Sequence, residues 1–347
     1  MTATFLVDAF SLDSTHSWIK GKMEVYDLKY FDGESSSLLR LDTIRLDCTE
    51  KSITIQNMAW ATTLSIAGFI KKYPFQKDMV GLTIPHISIQ GIDFVQAFER
   101  ENVTCKKVEI NLPNLNIYRN RQLRADQAEK PLFSELLQSS SIPIKVDSIQ
   151  IAKGLIRYKE QYHPSSLGRI IFSNVGGHIL HVNSTSDESI VINAEANVQS
   201  EGKLKVAIRL GDQHRLTKVN GTLSSMKLSS FNSMAVPLAG VNITSGQLNH
   251  MNFSFMYDGR KSTGDLSMDY SNLKVALQDA QTGNANFLQH MGSFVANTLK
   301  VRSNNLSSRG NFVKGTIAFE RDQTKSEISY WWKSLYSGIK STVWIQN

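Results

Sequence analysis

Apolar and polar residues alternate one for one through most of this chain. Val108, Ile110 and Leu112 alternate with Glu109 and Asn111, and Leu204, Val206, Ile208 and Leu210 alternate with Lys205, Ala207 and Arg209. Leu266, Met268 and Tyr270 do the same against Ser267 and Asp269. Successive side chains of an extended chain point to opposite sides, so each run makes a ribbon with one apolar and one polar face. Such runs recur from Met23 to Phe319. They predict a mainly β protein: an elongated, curved antiparallel sheet of repeated strand units, forming a groove whose apolar face must be covered by something.

Strands are predicted over Lys22–Tyr30, Ser37–Asp47, Ser52–Asn57, Leu82–Gln90 and Lys106–Arg119, with turn signals at Asp32-Gly33, Cys48 to Lys51 and Gly91. Ala59 to Tyr73 fits a short helix and a strand about equally, and Asp93 to Glu99 reads as one or two helical turns. The alternation then lapses into a polar connector. Within it Pro131 opens a short amphipathic helix carrying Leu132, Phe133, Leu136 and Leu137. Strands resume at Ile144 and continue to about Leu277. The chain thus divides into a first β segment (1–120), a connector (121–143), a second β segment (144–320) and a C-terminal amphipathic helix (321–347).

Inside the second segment, Leu288, Met291, Phe294 and Val295 predict a helix at about 285–299, followed by a strand over Phe312–Glu320. Thr324 and Glu327 have the spacing of a capping box, and Ile328, Trp331, Leu335 and Ile339 share a face of the helix beyond it. The stretches Asn111–Arg119 and Ser148–Lys159 echo one another in pattern, which favours a meander of similar units over a closed sandwich.

Composition narrows the function without naming it. With 41% hydrophobic and 20% charged residues the chain is a folded protein rather than a disordered one. Its net charge of +7 is dispersed into short clusters at Lys71-Lys72, Lys106-Lys107 and Arg119 to Arg124, and no nucleic-acid partner is expected. Two cysteines, Cys48 and Cys105, exclude a CxxC redox or zinc site and leave one disulfide or two buried thiols open. His178 and His181 stand three apart on a predicted strand, on opposite faces, so no metal site is expected there. Metalloprotease, nucleophile-elbow, dinucleotide, phosphate-loop and calcium-loop motifs are all missing, and no two carboxylates stand out as an acid–base pair. A non-enzymatic role without cofactor or metal is the expectation.

No run reaches the roughly 18 to 20 apolar residues that span a bilayer. Met1 to Phe10 lacks a basic leader and reads directly as a strand, which leads us to expect an anchor in sequence preceding this chain. Trp331, Trp332, Lys333, Tyr336 and Lys340 suit two roles on the last helix. They plug the end of the sheet, or they place aromatic rings at headgroup depth with lysines reaching phosphates.

The stretch Ile84-Pro-His-Ile-Ser-Ile-Gln-Gly-Ile-Asp93, followed by Cys105-Lys-Lys-Val-Glu-Ile-Asn-Leu-Pro-Asn-Leu-Asn-Ile-Tyr-Arg119, resembles the AsmA-like superfamily of Gram-negative envelope proteins. Its recurring phrase is a hydrophobic strand, Gly-Ile-Asp, a short helix and a strand ending in an aromatic residue and arginine. Ile144 to Glu160, then Gly168 to Ser173, is similar to a second family segment, as is the ending around Trp332 to Ile345. The resemblance covers the chain from about Leu82 onward and rests on scaffold motifs. It implies a β-groove protein of the periplasm, held by an inner-membrane helix and tied to outer-membrane homeostasis or to phospholipid passage along an apolar groove. This chain lacks that anchor and is short for a full bridge between membranes.

The expected partners are therefore a phospholipid or other acyl-chain lipid and, beside it, envelope proteins. The groove-lining candidates are Val108, Ile110, Leu112, Leu204, Val206, Ile208, Leu266 and Met268. Two other classes remain open: an interaction module docking partners by its sheet edges, and a carbohydrate-active β enzyme with carboxylates converging from distant strands.

Overall fold

The alternating runs assemble into one open sheet, which is not a barrel. The computed structural model describes residues 2–13, 18–99, 101–186, 188–211, 216–277 and 301–345. The predicted helix at 285–299 lies outside them. The first segment holds β1 (Thr2–Asp13), β2 (Trp18–Asp32), β3 (Ser37–Asp47), β4 (Ser52–Thr62), β5 (Asp78–Gln90), β6 (Val103–Asn111) and β7 (Asn114–Asn120). The second holds β8 (Ile144–His163), β9 (Ser166–Asn183), β10 (Val191–Val198), β11 (Gly202–Arg209) and β12 (Thr217–Leu223). The two-residue β13 (Met226–Lys227), β14 (Val241–Tyr257), β15 (Lys261–Leu277) and β16 (Gly315–Glu320) follow. Short helices interrupt them: α1 (Ile66–Lys72), α2 (Phe94–Glu99), α3 (Phe133–Gln138) and α4 (Asn232–Ala239), with α5 (Glu327–Val343) closing the chain.

Neighbours in sequence are neighbours in the sheet, antiparallel throughout except at β8, which pairs in parallel with both β6 and β7. A parallel pair needs a crossover, and the 121–143 connector supplies it. The two echoing sequence stretches are the strands of that parallel junction, so the sheet runs unbroken across the connector.

The register is one continuous ladder. One row runs Val25, Ile44, Ile55, Ile87, Ile110, Ile151, Gly177, Ala194, Val206, Gly221, Phe253, Leu266, Gly315. The row beside it runs from Glu24, Arg45, Thr54, Ser88 and Glu109 to Gln150, His178 and Asn193. A side-chain period of two puts the first on the apolar face and the second on the other.

A crease crosses this ladder, and it accounts for where the predicted strands stopped short. Asp27 in β2, Asn57 in β4, Leu112 between β6 and β7, Lys153 in β8 and Asn174 in β9 all have φ between 50° and 55°. Each left-handed residue shifts the alternation by one, so Ile53 and Ile55 are followed on the same face by Met58 and Trp60. Likewise Ile149 and Ile151 are followed by Ile156 and Tyr158. Asp and Asn tolerate this conformation best, which explains their presence within strands. The strand predicted over Ser52–Asn57 therefore continues to Thr62. Irregularities of this kind bend and twist a strand, and aligned across several they curve the sheet.

Across β14, β15 and β16 the apolar face is sealed. Leu248, Tyr257, Leu266, Tyr270 and Ile317 are at most 1% exposed, in a core that also takes in Leu132 of the connector and Tyr330 of α5. The helix approaches closely because its inward stripe is Tyr330, Ser334, Gly338 and Thr342, small after the first. A Cβ on Gly338 would stand 2.8 Å from Ile317, and one on Gly315 only 2.3 Å from the Gly338 carbonyl oxygen.

This corrects the predicted helix face, because the stripe pressed to the sheet is offset from Ile328, Trp331, Leu335 and Ile339. Ile328 is 56% exposed, while the other three pack partly at the core margin. The capping box is also corrected. Ser326 is the N-cap, its hydroxyl accepting from the Ser329 amide, whereas Thr324 bonds Asp322. Glu327 turns inward instead, accepting from the Tyr257 hydroxyl and, at 2.6 Å, from the Phe133 amide.

Candidate functional site

Between β2 and β9 the same apolar face carries a different environment. Ile44, Ile55, Ile110, Ile151, Met58, Trp60, Leu82, Leu115 and Ile156 are half-buried and lie outside both buried clusters. Val25, Leu41, Ile84 and Ile87 are buried among them. This stretch is the candidate site: an apolar floor crossed by the crease and bounded at both ends.

One end is capped by α2. Phe94 and Ile92 pack with Cys48, Cys105 and Val146 over the strand ends, touching Ile53, Ile89, Val108 and Ile149. Both cysteines are free and buried, and burial raises both thiols above their ordinary range. The chain folds this way because Gly91 adopts φ +66° to turn out of β5, and the Asp93 carboxylate then accepts the Gln96 amide at 3.0 Å.

The other end is ionic. Following the floor outward, Leu82, Leu115 and Ile156 give way to Val80, Ile117 and Tyr158, and then to Asp78, Arg119 and Glu160, all in register. Arg119 holds Asp78 through two parallel bonds of 2.7 and 2.6 Å. Arg121 binds Glu160 at 2.7 Å and Gln76 at 3.0 Å. Burial disfavours the Arg119 charge, but the bonded Asp78 more than offsets it and holds its pKa above the ordinary value. Burial, then the neighbouring Glu160, pushes the Tyr158 and Tyr162 hydroxyls up, and Tyr162 donates to the Glu160 carboxylate.

The predicted groove residues separate into two groups. Val108 and Ile110 lie on the open floor, Val108 beside the α2 cap. Leu112 is the left-handed crease residue and is 51% exposed. Ile208, Leu266 and Met268 belong to the sealed core, and Leu204 and Val206 pack against it. The predicted interface residues also divide. Trp331 joins the core margin in an edge contact with Phe133, while Trp332 is 47% exposed and lies against Tyr336. Lys340 is exposed, and Lys333 is half-buried, burial lowering its pKa.

Sequence reasoning passed over Asp78, Arg119, Arg121 and Glu160 as groove-end residues. The signal was present: Arg119 is in phase with Leu115 and Ile117, and Glu160 with Ile156 and Tyr158.

A cleft of about 210 Å³ lies outside the groove, lined by polar residues such as Gln96, Asn102 and Asn183. Among the described residues no three His, Cys, Asp or Glu side chains gather as metal ligands would, and no helix is long and apolar enough to cross a membrane. Comparison with protein-family models and with curated proteins returns no match.

Proposed function

We propose that this protein is a non-enzymatic cell-envelope protein of AsmA-like type whose open apolar floor receives the acyl chains of a lipid. The observation that carries the reading is the contrast along one ladder. The same apolar row is sealed at Phe253, Leu266 and Gly315, toward α5, and only half-covered at Ile44, Ile55, Ile110 and Ile151. Apolar surface left at the border of water favours an apolar occupant, and each buried methylene of an acyl chain contributes about 0.8 kcal/mol. The crease supports the reading by keeping both halves of β4 and β8 apolar on one side. The carboxylates of the ionic end are each committed to an arginine, which favours a structural or recognition role over acid–base chemistry.

The test is native mass spectrometry of the gently purified chain, followed by uptake of a fluorescent acyl lipid. Bound phospholipid is expected. A spectrum of bare protein that takes up no lipid removes the proposal. A second reading, docking of a partner by strand addition, draws on β1 and β16 as the edges of an unclosed sheet. It predicts partner binding that survives charge substitution on the apolar floor.

A further inference from the structure

The positive charge is dispersed in sequence, but the fold gathers two of its clusters, Lys71-Lys72 and Arg119 to Arg124, at one end of the floor. Tyr30, Leu39, Trp60, Leu82, Leu115 and Ile156 form one register row of that floor. Past this row the chain leaves the sheet in three segments: the 33–36 turn, α1 with its extension over 73–77, and the 121–124 stretch after β7. Hydrogen bonds knit them into one rim. The Lys72 ammonium donates to the Gly33 carbonyl at 3.1 Å and to the Ser36 hydroxyl at 2.6 Å, and the Tyr73 hydroxyl donates to the Glu34 carbonyl at 3.0 Å. The Gln76 backbone amide donates to the Arg124 carbonyl, and the Gln76 side chain to the Leu123 carbonyl, both at 2.8 Å.

This rim is both basic and apolar. Lys71, Lys72, Lys77 and Arg124 are exposed on it against two carboxylates, Asp32 and Glu34, an excess of two positive charges. Asp32 is turned onto the Glu34 amide and Ser35. Lys71, Lys77 and Arg124 form no ion pair among the described residues. Phe31, Ile66 and Phe75 are each about half exposed, and Phe75 pairs with Arg124 backbone to backbone. The Lys77 ammonium lies 4.0 Å from the centre of the Tyr73 ring. Exposed rings interleaved with unpaired cations match a bilayer surface, where the headgroup layer takes up aromatic side chains and anionic phosphates attract lysine.

We propose that this rim docks on an anionic lipid bilayer, so that the floor opens at the membrane surface. The inference goes beyond the acyl-groove reading and does not need it, because docking and loading are separate measurements.

The experiment is co-sedimentation of the full chain with vesicles of phosphatidylcholine alone, or of equal parts phosphatidylcholine and phosphatidylglycerol, at low and at high salt. Wild type is expected to prefer the mixed vesicles and to lose that preference as salt screens the surface. Lys71→Gln combined with Lys77→Gln should weaken binding roughly 25-fold, about fivefold for each lysine at the surface. Phe75→Ser should weaken it about tenfold by removing apolar contact. Both changes fall on exposed side chains, so thermal melting should stay with wild type, and Phe31→Ser serves if Phe75→Ser melts early. Trp332→Ser, which removes the exposed ring of α5, should bind as wild type does. No preference for the mixed vesicles, or a preference that survives either rim change, overturns the proposal. Loss of binding on Trp332→Ser also overturns it, by moving the contact to α5. Vesicle binding without lipid loading leaves the rim standing and removes the groove, and loading without vesicle binding does the reverse.

Discussion

Ile151 and Leu266 lie on one register row of one sheet, on one apolar face, and their surroundings differ. Leu266 is 1% exposed beneath α5, while Ile151 is half-buried on the floor, outside both buried clusters. Their local sequences are alike, each an apolar residue alternating with polar ones. The alternation therefore specifies which face is apolar but not what lies on it. The covering layer depends on a property outside the strands: the small stripe of Ser334, Gly338 and Thr342 that lets α5 sit down on Gly315 and Ile317. Where such a stripe meets the sheet, the face becomes core.

Charge substitution along this row breaks the comparison most sharply if the contrast is false. Leu266→Glu places an unpaired carboxylate in the sealed core and should cost about 4 kcal/mol or more in chemical denaturation, enough to unfold much of the chain. Gly315→Val should cost about 3 kcal/mol, because its Cβ would stand 2.3 Å from a backbone oxygen of α5 and lift the helix. Loss of the near-ultraviolet circular dichroism of Trp331 would report that lifting. Val206→Glu, half-buried at the core margin, should fall between the extremes at about 2 kcal/mol. Ile151→Glu should cost about 1 kcal/mol or less, since a half-exposed carboxylate keeps part of its hydration.

A smaller effect tests the sealed side by pH. Burial raises the Glu327 pKa, and the bonds from Tyr257 and Phe133 offset this only in part. With the folded pKa above the unfolded one, the folded state binds more protons between the two values. The contribution is present below the unfolded pKa and is lost as pH rises through the folded pKa. The stability of wild type relative to Glu327→Gln should therefore increase as pH falls through that window. A gap that widens as pH rises instead would place Glu327 outside the core.

Much of the fold was legible because period-two alternation is a direct consequence of strand geometry. The helix at Phe94–Glu99 and the one begun after Pro131 were legible for similar local reasons. The crease was not. A single left-handed residue such as Asn57 shifts the phase, so one long strand reads as a short strand and an ambiguous remainder. The division of the groove candidates was also beyond the sequence, since Val108 and Leu266 differ only in what lies above them. The offset face of α5 was hidden because packing there selects smallness, at Ser334 and Gly338, whereas hydrophobicity points to Trp331 and Leu335. The ionic end was legible in phase, but arginines within a basic stretch read more readily as a solvated surface.

The central claim is that the half-covered floor holds acyl chains, and Ile151→Glu tests it most directly. Melting temperature and lipid loading should be measured on the same preparation, beside wild type. The account predicts lipid on wild type, little or none on the variant, and melting within a few degrees of wild type at about 1 kcal/mol of lost stability. A variant that unfolds as Leu266→Glu does, or one that loads lipid as well as wild type, would contradict it.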